Sequence, residues 1–180
     1  MKNFYRSAAA AAILLMGAEV SRGAETLKYI CQLKPTTGNQ AHGFVKFIQR
    51  KHSVTIRAHV EGLPPGKHGF HIHECGDCSA PDGMSAKGHF NPGRHHHGGP
   101  SAAERHAGDL GNLNANAQGV ADYERTDSVI HMTGSDSFLG KAVIVHEKVD
   151  DYKTQPTGNA GARIACGVIQ TKEDFQKEKQ

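Results

Sequence analysis

Short runs in which apolar and polar side chains alternate with period two recur along this chain. The clearest covers residues 54–60, where valine, isoleucine and alanine alternate with threonine, arginine and histidine. This alternation is typical of a strand that buries one face. Similar runs predict eight strands in all, over residues 27–33, 43–48, 54–60, 68–73, 120–124, 128–133, 141–146 and 163–169.

Turn-forming sequences separate these runs, and two longer segments interrupt them. Residues 63–66 (LPPG) and 116–119 (NAQG) have turn chemistry. Residues 74–108 are rich in glycine, histidine and proline, and residues 147–162 in charge, glycine and threonine. Long loops in a compact domain usually carry function. We therefore predict an all-β domain, an eight-stranded Greek-key β-barrel or sandwich with two long functional loops.

The two ends of the chain differ from this pattern. Lys2 and Arg6 precede an apolar stretch over residues 8–16, and residues 21–23 (SRG) form a small-x-small cleavage site, which predicts a secretory signal peptide over residues 1–23. The apolar stretch is much shorter than the roughly 20 residues that cross a bilayer. We therefore expect a mature domain over residues 24–180 with no membrane attachment. Its last ten residues, 171–180, are almost wholly polar and are expected to form a flexible tail.

Composition supports the all-β prediction and excludes some partners. The chain has no tryptophan, 6% aromatic residues and 21 glycines, which suits short strands joined by tight turns. The formal net charge is +3, and most of this excess lies in the predicted signal peptide. A nearly neutral mature chain favours neither nucleic acid nor an anionic membrane as a partner.

Histidines are concentrated in one part of the chain, which suggests metal binding. Eight of the 13 lie between residues 68 and 106. Within residues 69–73, His71 and His73 share one face of a strand, so one ion could bind both imidazoles. His146 ends another predicted strand and could add a third ligand. Imidazole suits copper and zinc.

A second group of candidate ligands combines three imidazoles and one carboxylate. Three nitrogens and one oxygen form a donor set that fits tetrahedral zinc. The group consists of His89, His97, His106 and Asp109.

Six motifs in order closely resemble the copper-zinc superoxide dismutases, and the resemblance covers essentially the whole mature chain. The shortness of residues 147–162 is similar to the exported bacterial members. The motifs are residues 69–73 (GFHIH), 88–92 (GHFNP), 97–100 (HGGP), 104–111 (ERHAGDLG), 145–148 (VHEK) and 158–167 (GNAGARIACG).

The resemblance implies a role for each candidate residue. It implies that His89 bridges the two metals and becomes a proton donor, and that Asp150 hydrogen-bonds His71 and His97. Arg163 would attract the anionic substrate, and Cys78 would form a disulfide with Cys166. The implied copper ligands are His71, His73, His89 and His146, and the implied zinc ligands are His89, His97, His106 and Asp109.

The implied activity is conversion of superoxide into dioxygen and hydrogen peroxide by alternate reduction and reoxidation of copper, with zinc as a structural and tuning ion. The alternative is a non-catalytic protein of the same fold that binds or delivers copper and zinc. Loss of a copper ligand or of Arg163 would favour the alternative, and neither is lost. A homodimer is an option that the sequence leaves open.

Several further assignments complete the sequence-based expectations. Cys31 lies in a predicted strand and is expected to be a buried, inert thiol, whereas Cys75 matches nothing in the family pattern and its pairing stays open. His68 is expected to be structural. His95 and His96 are expected to form a solvated loop face, with recruitment of metal as the alternative. The expected location is the periplasm of a Gram-negative bacterium, with extracellular release as the alternative.

Overall fold

The computed structural model describes residues 27–179, and the predicted signal peptide lies outside them. No helix in this part of the chain is long and apolar enough to cross a membrane. The regular elements are β1 Lys28–Pro35, β2 His42–Gln49, β3 Val54–Glu61, β4 Gly66–His73, β5 Asp109–Ala115, β6 Ala121–Asp127, β7 Ala142–His146, β8 Arg163–Thr171 and helix α1 Lys172–Lys177, with a single 3-10 turn at Met84–Ala86.

The eight strands form one antiparallel sheet that curls into a nearly closed barrel. Their order is β5-β4-β7-β8-β1-β2-β3-β6, so the chain crosses between non-consecutive strands as in a Greek key. The two end strands approach each other, and the Tyr123 hydroxyl of β6 donates to the Leu110 carbonyl of β5 at 2.8 Å. The prediction of an all-β barrel is confirmed.

Burial differs between the two halves of the barrel. In β2, Val45 and Phe47 point into the core while Phe44 and Lys46 point outward, which is the alternation read from the sequence. In β7, by contrast, all five residues are buried. The two long loops cover the outer face of β4 and β7. The side chains between the sheet and these loops form a second buried region, separate from the barrel core.

The two loops span the predicted segments. Residues 74–108 connect β4 to β5, and residues 147–162 connect β7 to β8. A disulfide joins Cys78 of the first loop to Cys166 of β8, 88 residues apart, so the pairing implied by the resemblance is confirmed. Closing a loop of this length contributes roughly 4 to 5 kcal/mol in the chain-entropy model.

One predicted strand is wrong, and one strand was missed. Residues 128–133 form no strand, because the Asp127 carboxylate accepts the Val129 amide at 2.8 Å and turns the chain away after β6. Ile130 and Met132 are still buried, which explains the misleading alternation. Strand β5 was missed because its glycine and asparagines have low strand propensity. Its pairing with β4 holds it in place.

The C-terminal segment contains a short helix where the sequence suggested an unstructured tail. The Thr171 side chain accepts the Asp174 amide at 3.1 Å and caps the first turn of α1. Phe175 packs edge-on against Phe44, with 6.2 Å between ring centroids. The flexibility of residues 171–180 stays a prediction.

Two buried polar residues have the structural character expected of them. Cys31 is fully buried, and desolvation raises the pKa of its thiol, so it stays protonated. The His68 ring lies between two backbone carbonyls, with Nδ1 2.9 Å from the His146 oxygen and Nε2 2.8 Å from the Pro64 oxygen.

On the outer face of the barrel, His59 of β3 lies between two carboxylates. Its Nδ1 is 2.7 Å from Asp122 of β6 and its Nε2 is 2.9 Å from Glu61. These hydrogen bonds, that of Asp122 first, raise the pKa of His59 above its usual value of about 6.5. Protonated His59 therefore ties β3 to β6 across the surface.

We expect His59→Gln to destabilise the protein at pH 6 and to match the parent at pH 9. A histidine whose pKa is raised by folding stabilises fully below about pH 6.5, and its contribution is lost as the pH rises through the folded-state value. Urea unfolding across this range measures the difference, which is small because the site is exposed. The exposed His52→Gln is the control. An equal loss of stability at both pH values would contradict the charge-based account.

Candidate metal centre

The first cluster of metal-binding side chains lies on the outer face of β4 and β7. His71 and His73 project from β4 on the side opposite to Phe70 and Ile72, as the sequence pattern predicted. His146 comes from the end of β7, which pairs with β4, and His89 comes from the first loop. One ring nitrogen from each histidine lies within 4.8 Å of the others, and all four residues are buried.

A second cluster shares His89 with the first. It contains His97, His106 and Asp109, and its donor atoms also lie within 4.8 Å of one another. Nitrogens of His89, His97 and His106 are 2.8, 3.0 and 3.3 Å from the same oxygen of Asp109. Ligands on a tetrahedral ion with bonds of about 2.0 Å are about 3.3 Å apart. The spacing therefore suits one zinc ion.

A triangle of backbone hydrogen bonds joins the three segments that carry these residues. The Ile72 amide donates to the Gly108 carbonyl at 2.9 Å, the Phe90 amide to the Ile72 carbonyl at 2.8 Å, and the Gly108 amide to the Phe90 carbonyl at 2.8 Å. A side chain at Gly108 would overlap the Ile72 carbonyl, so only glycine allows this approach. Each corner of the triangle adjoins a residue of the clusters: Ile72 adjoins His71 and His73, Phe90 adjoins His89, and Gly108 adjoins Asp109.

The Asp150 carboxylate connects one ring of each cluster. One oxygen accepts from His71 Nε2 at 2.8 Å, and the other accepts from His97 Nε2 at 2.9 Å. Both hydrogen bonds place the protons on Nε2, because an ionised carboxylate can only accept. The Nδ1 atom of each ring therefore faces a cluster and can coordinate a metal ion once it carries no proton.

Backbone carbonyls orient the other two rings of the first cluster in the same way. His73 Nδ1 donates to the Lys87 carbonyl at 2.7 Å, and His146 Nδ1 donates to the Gly161 carbonyl at 3.2 Å. Their Nε2 atoms then face each other at 3.4 Å. Two lone pairs at this distance repel each other unless a proton or a metal ion lies between them.

Three buried ring nitrogens make no hydrogen bond of acceptable geometry: His71 Nδ1, His89 Nε2 and His97 Nδ1, the last although it lies 3.0 Å from Asp109. An unsatisfied buried polar atom costs about 1 to 3 kcal/mol. All three belong to the clusters, so metal coordination would satisfy them. The four-imidazole set fits copper, and the set of three imidazoles and one carboxylate fits zinc.

The electrostatics keep His89 and Asp109 in metal-binding form, whereas His97 is held protonated. Burial, helped by the neighbouring His71 ring, lowers the pKa of His89 to about 3, so its imidazole is neutral at physiological pH. Despite burial, hydrogen bonds from the three cluster histidines hold the pKa of Asp109 far below its usual range. Burial opposes protonation of His97, but Asp109 and Asp150 raise its pKa to about 9. An ion at His97 must therefore displace a proton.

A cleft of about 550 Å³ opens beside His73 and His146 and is bordered by Arg163. The Arg163 guanidinium donates to the carbonyls of Gly83 and Lys87, and the Lys87 carbonyl also accepts from His73. Arginine keeps its charge at any physiological pH. A fixed positive charge therefore lies at the mouth of the first cluster.

Three residues that support the site were not identified as functional from the sequence. The side-chain oxygen of Asn112 accepts from the Asp150 backbone amide at 2.8 Å, and its nitrogen donates to the Asp150 carbonyl at 3.0 Å. In the same way, the side-chain oxygen of Gln155 accepts from the His97 backbone amide at 2.8 Å, and its nitrogen donates to the His97 carbonyl at 2.9 Å. A side chain at Gly158, which has φ +69°, would overlap the Asp150 carboxylate. Gly158 lies within a recognised motif, whereas Asn112 lies on the unpredicted β5.

Some residues considered at the outset lie outside both clusters. His95 and His96 are exposed and belong to neither group of ligands. Cys75 is partly buried and is not in a disulfide.

A Greek-key barrel with two histidine-rich clusters that share one imidazole defines a binuclear metalloprotein. Residues 41–169 match the model of one such family, copper/zinc superoxide dismutase (SODC). The chain belongs to this family. It is an oxidoreductase with copper and zinc as cofactors, and it converts superoxide into dioxygen and hydrogen peroxide.

Curated relatives support this membership over most of the chain. An extracellular superoxide dismutase [Cu-Zn] of Drosophila melanogaster is 44% identical over 154 residues, covering 81% of this chain and 84% of the relative. Superoxide dismutase [Cu-Zn] 2 of Mesembryanthemum crystallinum is 46% identical, covering 73% and 88%. Superoxide dismutase [Cu-Zn] A of Xenopus laevis is 43% identical, covering 79% and 97%.

We expect Asp150→Asn to weaken zinc binding about 10- to 100-fold, because an amide cannot accept from both His71 and His97. Competition with a chromophoric chelator measures the dissociation constant. Asp151→Asn is the matched control, since the neighbouring Asp151 carboxylate contacts only its own exposed loop. Equal zinc affinity in both variants would contradict a positioning role for Asp150.

Proposed function

We propose that His71, His73, His89 and His146 bind the copper ion, and that His89, His97, His106 and Asp109 bind the zinc ion. The observation that carries this assignment is the position of His89. Its Nδ1 lies 2.8 Å from Asp109 in the second cluster, and its buried Nε2 has no hydrogen-bond partner. One imidazole therefore has a separate nitrogen for each metal.

Bound copper supplies one-electron chemistry, in which one superoxide ion reduces it and a second reoxidises it. His89 is the proposed proton carrier, because its Nε2 can hold a proton when that nitrogen is not coordinated and can pass the proton to the nascent peroxide. Asp150 keeps the rings of His71 and His97 in place during the cycle.

Arg163 is the proposed attractor of the substrate. Its guanidinium is held by two backbone carbonyls at the border of the cleft, beside the copper cluster. Superoxide is a small anion, so a fixed positive charge at this point raises its local concentration. The carbonyl of Lys87, which accepts from both His73 and Arg163, keeps the attracting group close to the reacting one.

The first test is dismutation by the mature chain loaded with copper and zinc, compared with His146→Ala. We expect at least about a 100-fold loss of activity with loss of copper, because a direct ligand matters at least as much as the groups that orient it. The exposed His96→Ala is the matched control and should keep parental activity. An inactive parent that binds both ions at stoichiometry would instead indicate a metal-binding protein without turnover.

We expect Arg163→Gln to lower kcat/KM about 10-fold or more and to flatten its dependence on ionic strength, because electrostatic attraction accelerates encounter by this order. Stopped-flow decay of superoxide at low and high salt measures both effects. Arg94→Gln removes an exposed charge from the first loop and serves as the control. The same salt dependence in Arg163→Gln and the parent would exclude Arg163 as the attracting charge.

We also propose that residues 1–23 direct export and are removed, and that the mature enzyme resides in the periplasm. The Cys78–Cys166 disulfide fits an oxidising compartment, and one relative is an extracellular enzyme. Mass spectrometry of the periplasmic fraction should find a chain that begins near Ala24. An uncleaved chain in the cytosolic fraction would contradict the proposal. A homodimer stays a prediction, which light scattering would test.

A further inference from the structure

A buried ion pair that the mechanism does not use lies next to the second cluster. We call this cluster, which consists of the proposed zinc ligands His89, His97, His106 and Asp109, the zinc cluster. Arg105 immediately precedes His106 and is 4% exposed, and Asp127 at the end of β6 is 1% exposed. Their oppositely charged groups approach to 2.5 Å. Because burying two charges carries a large desolvation penalty, such a pair is weak evidence of stabilisation and invites another explanation.

The remaining contacts of Arg105 all go to the segment that carries two of the zinc-cluster side chains. Its second terminal nitrogen lies within hydrogen-bond distance of three carbonyls in a single turn, 3.0 Å from that of His106, 3.3 Å from that of Ala107 and 3.1 Å from that of Asp109. One guanidinium therefore holds both ends of the short His106-to-Asp109 turn against β6.

Asp127 also connects to the segment that carries His97, which we call the His97 arm. The turn from His106 to Asp109 is the other arm of the zinc cluster. The carboxylate oxygen that accepts from Arg105 also accepts from Arg125 at 3.1 Å. Arg125 in turn donates to the carbonyl of Pro100, three residues after His97. We call the group formed by Arg105, Arg125 and Asp127 the Asp127 clamp. Its two guanidiniums donate to backbone carbonyls on both sides of the zinc cluster, Arg105 to the turn from His106 to Asp109 and Arg125 to Pro100.

The geometry of Asp109 requires that these two arms stay at a set distance. One oxygen of Asp109 accepts from the backbone amides of His106 at 2.8 Å and Gly98 at 3.1 Å. The other oxygen is the one that faces the three histidine nitrogens. A shift of either arm would break one amide contact and rotate the carboxylate away from the cluster.

We propose that the Asp127 clamp is a positioning device that sets zinc affinity, by holding the His97 arm and the turn from His106 to Asp109 in the arrangement that the ion needs. The inference rests on the zinc ligands proposed above. Groups that orient ligands commonly change metal affinity 10- to 100-fold. The clamp makes no hydrogen bond to the side chains of His71, His73 or His146, so its loss should affect zinc far more than copper.

Arginine is needed at position 105 because of its shape. A planar guanidinium donates from one nitrogen to the carbonyls and from another to Asp127 at the same time. An ammonium group is a single point donor and cannot reach both sets of acceptors. Arg105→Lys therefore removes the clamp while it keeps the charge.

The test compares Arg105→Lys and Asp127→Asn with the parent. We expect zinc dissociation constants at least 10-fold higher, copper dissociation constants within 3-fold of the parent, and an altered d–d absorption of cobalt(II) bound at the zinc site. Arg57→Lys is the matched control, since the exposed Arg57 pairs with Glu124 across β3 and β6 in a similar way. Parental zinc affinity and cobalt spectra in both clamp variants would overturn the proposal.

A double variant separates positioning from folding. Breaking a buried pair on one side is strongly destabilising, whereas replacement of both members by apolar residues of similar volume is often neutral. Arg105→Met/Asp127→Asn leaves no unpaired charge at position 105 and keeps an oxygen for the Val129 amide, so without metal it should unfold at a higher temperature than Asp127→Asn alone and still show weakened zinc binding. Parental zinc affinity in this variant would overturn the proposal that the Asp127 clamp sets zinc affinity.

One further variant separates this proposal from the ligand assignment. His106→Ala should lose zinc at least as severely as the clamp variants, because it removes a proposed ligand. If His106→Ala loses zinc and the clamp variants do not, only the clamp proposal fails. If His106→Ala keeps parental zinc affinity, the ligand assignment fails, and the clamp proposal fails with it.

Discussion

The metal centre depends on the triangle of backbone hydrogen bonds among Ile72, Phe90 and Gly108. Ile72 lies between His71 and His73 of the first cluster, Phe90 follows the shared His89, and Gly108 lies just before Asp109. Main-chain groups are rigid and must be paired when buried, so the triangle sets the separations of three segments that are distant in sequence. A Cβ at Gly108 would abolish the approach. Two clusters can therefore share one imidazole.

Around this frame, four of the histidine rings each have one nitrogen hydrogen-bonded to a carboxylate or a backbone carbonyl, which fixes the orientation of the ring. Asp150, Lys87 and Gly161 accept a hydrogen bond from one nitrogen of a ring and leave the other nitrogen toward a cluster. The loops that provide these acceptors also bury the four rings of the first cluster, and this burial lowers the pKa values of His71, His73, His89 and His146. Burial and orientation thus act together. The loops that bury His89 lower its pKa and also leave its Nε2 without a hydrogen-bond partner, so that this nitrogen can be satisfied by a metal ion.

The barrel supplies rigidity and the loops supply chemistry. The outer faces of β4 and β7 form the floor of the centre, and the Cys78–Cys166 disulfide and the Asp127 clamp attach the first loop at its two ends. The disulfide lies near the Arg163 side, whereas the clamp lies beside the zinc cluster. Each half of the binuclear site therefore has its own attachment to the strands.

Local patterns by themselves determined most strands, both long loops and the shared face of His71 and His73, because period-two burial and ligand spacing are written in neighbouring residues. The resemblance added the metal expected at each group of ligands, the roles of Asp150 and Arg163, and the disulfide. Only the tertiary structure decided the rest. Strand β5 exists through its pairing with β4 despite poor propensity, and residues 128–133 alternate without forming a strand. Asn112, Gln155 and the Asp127 clamp act through contacts between segments far apart in the chain, which no local pattern records.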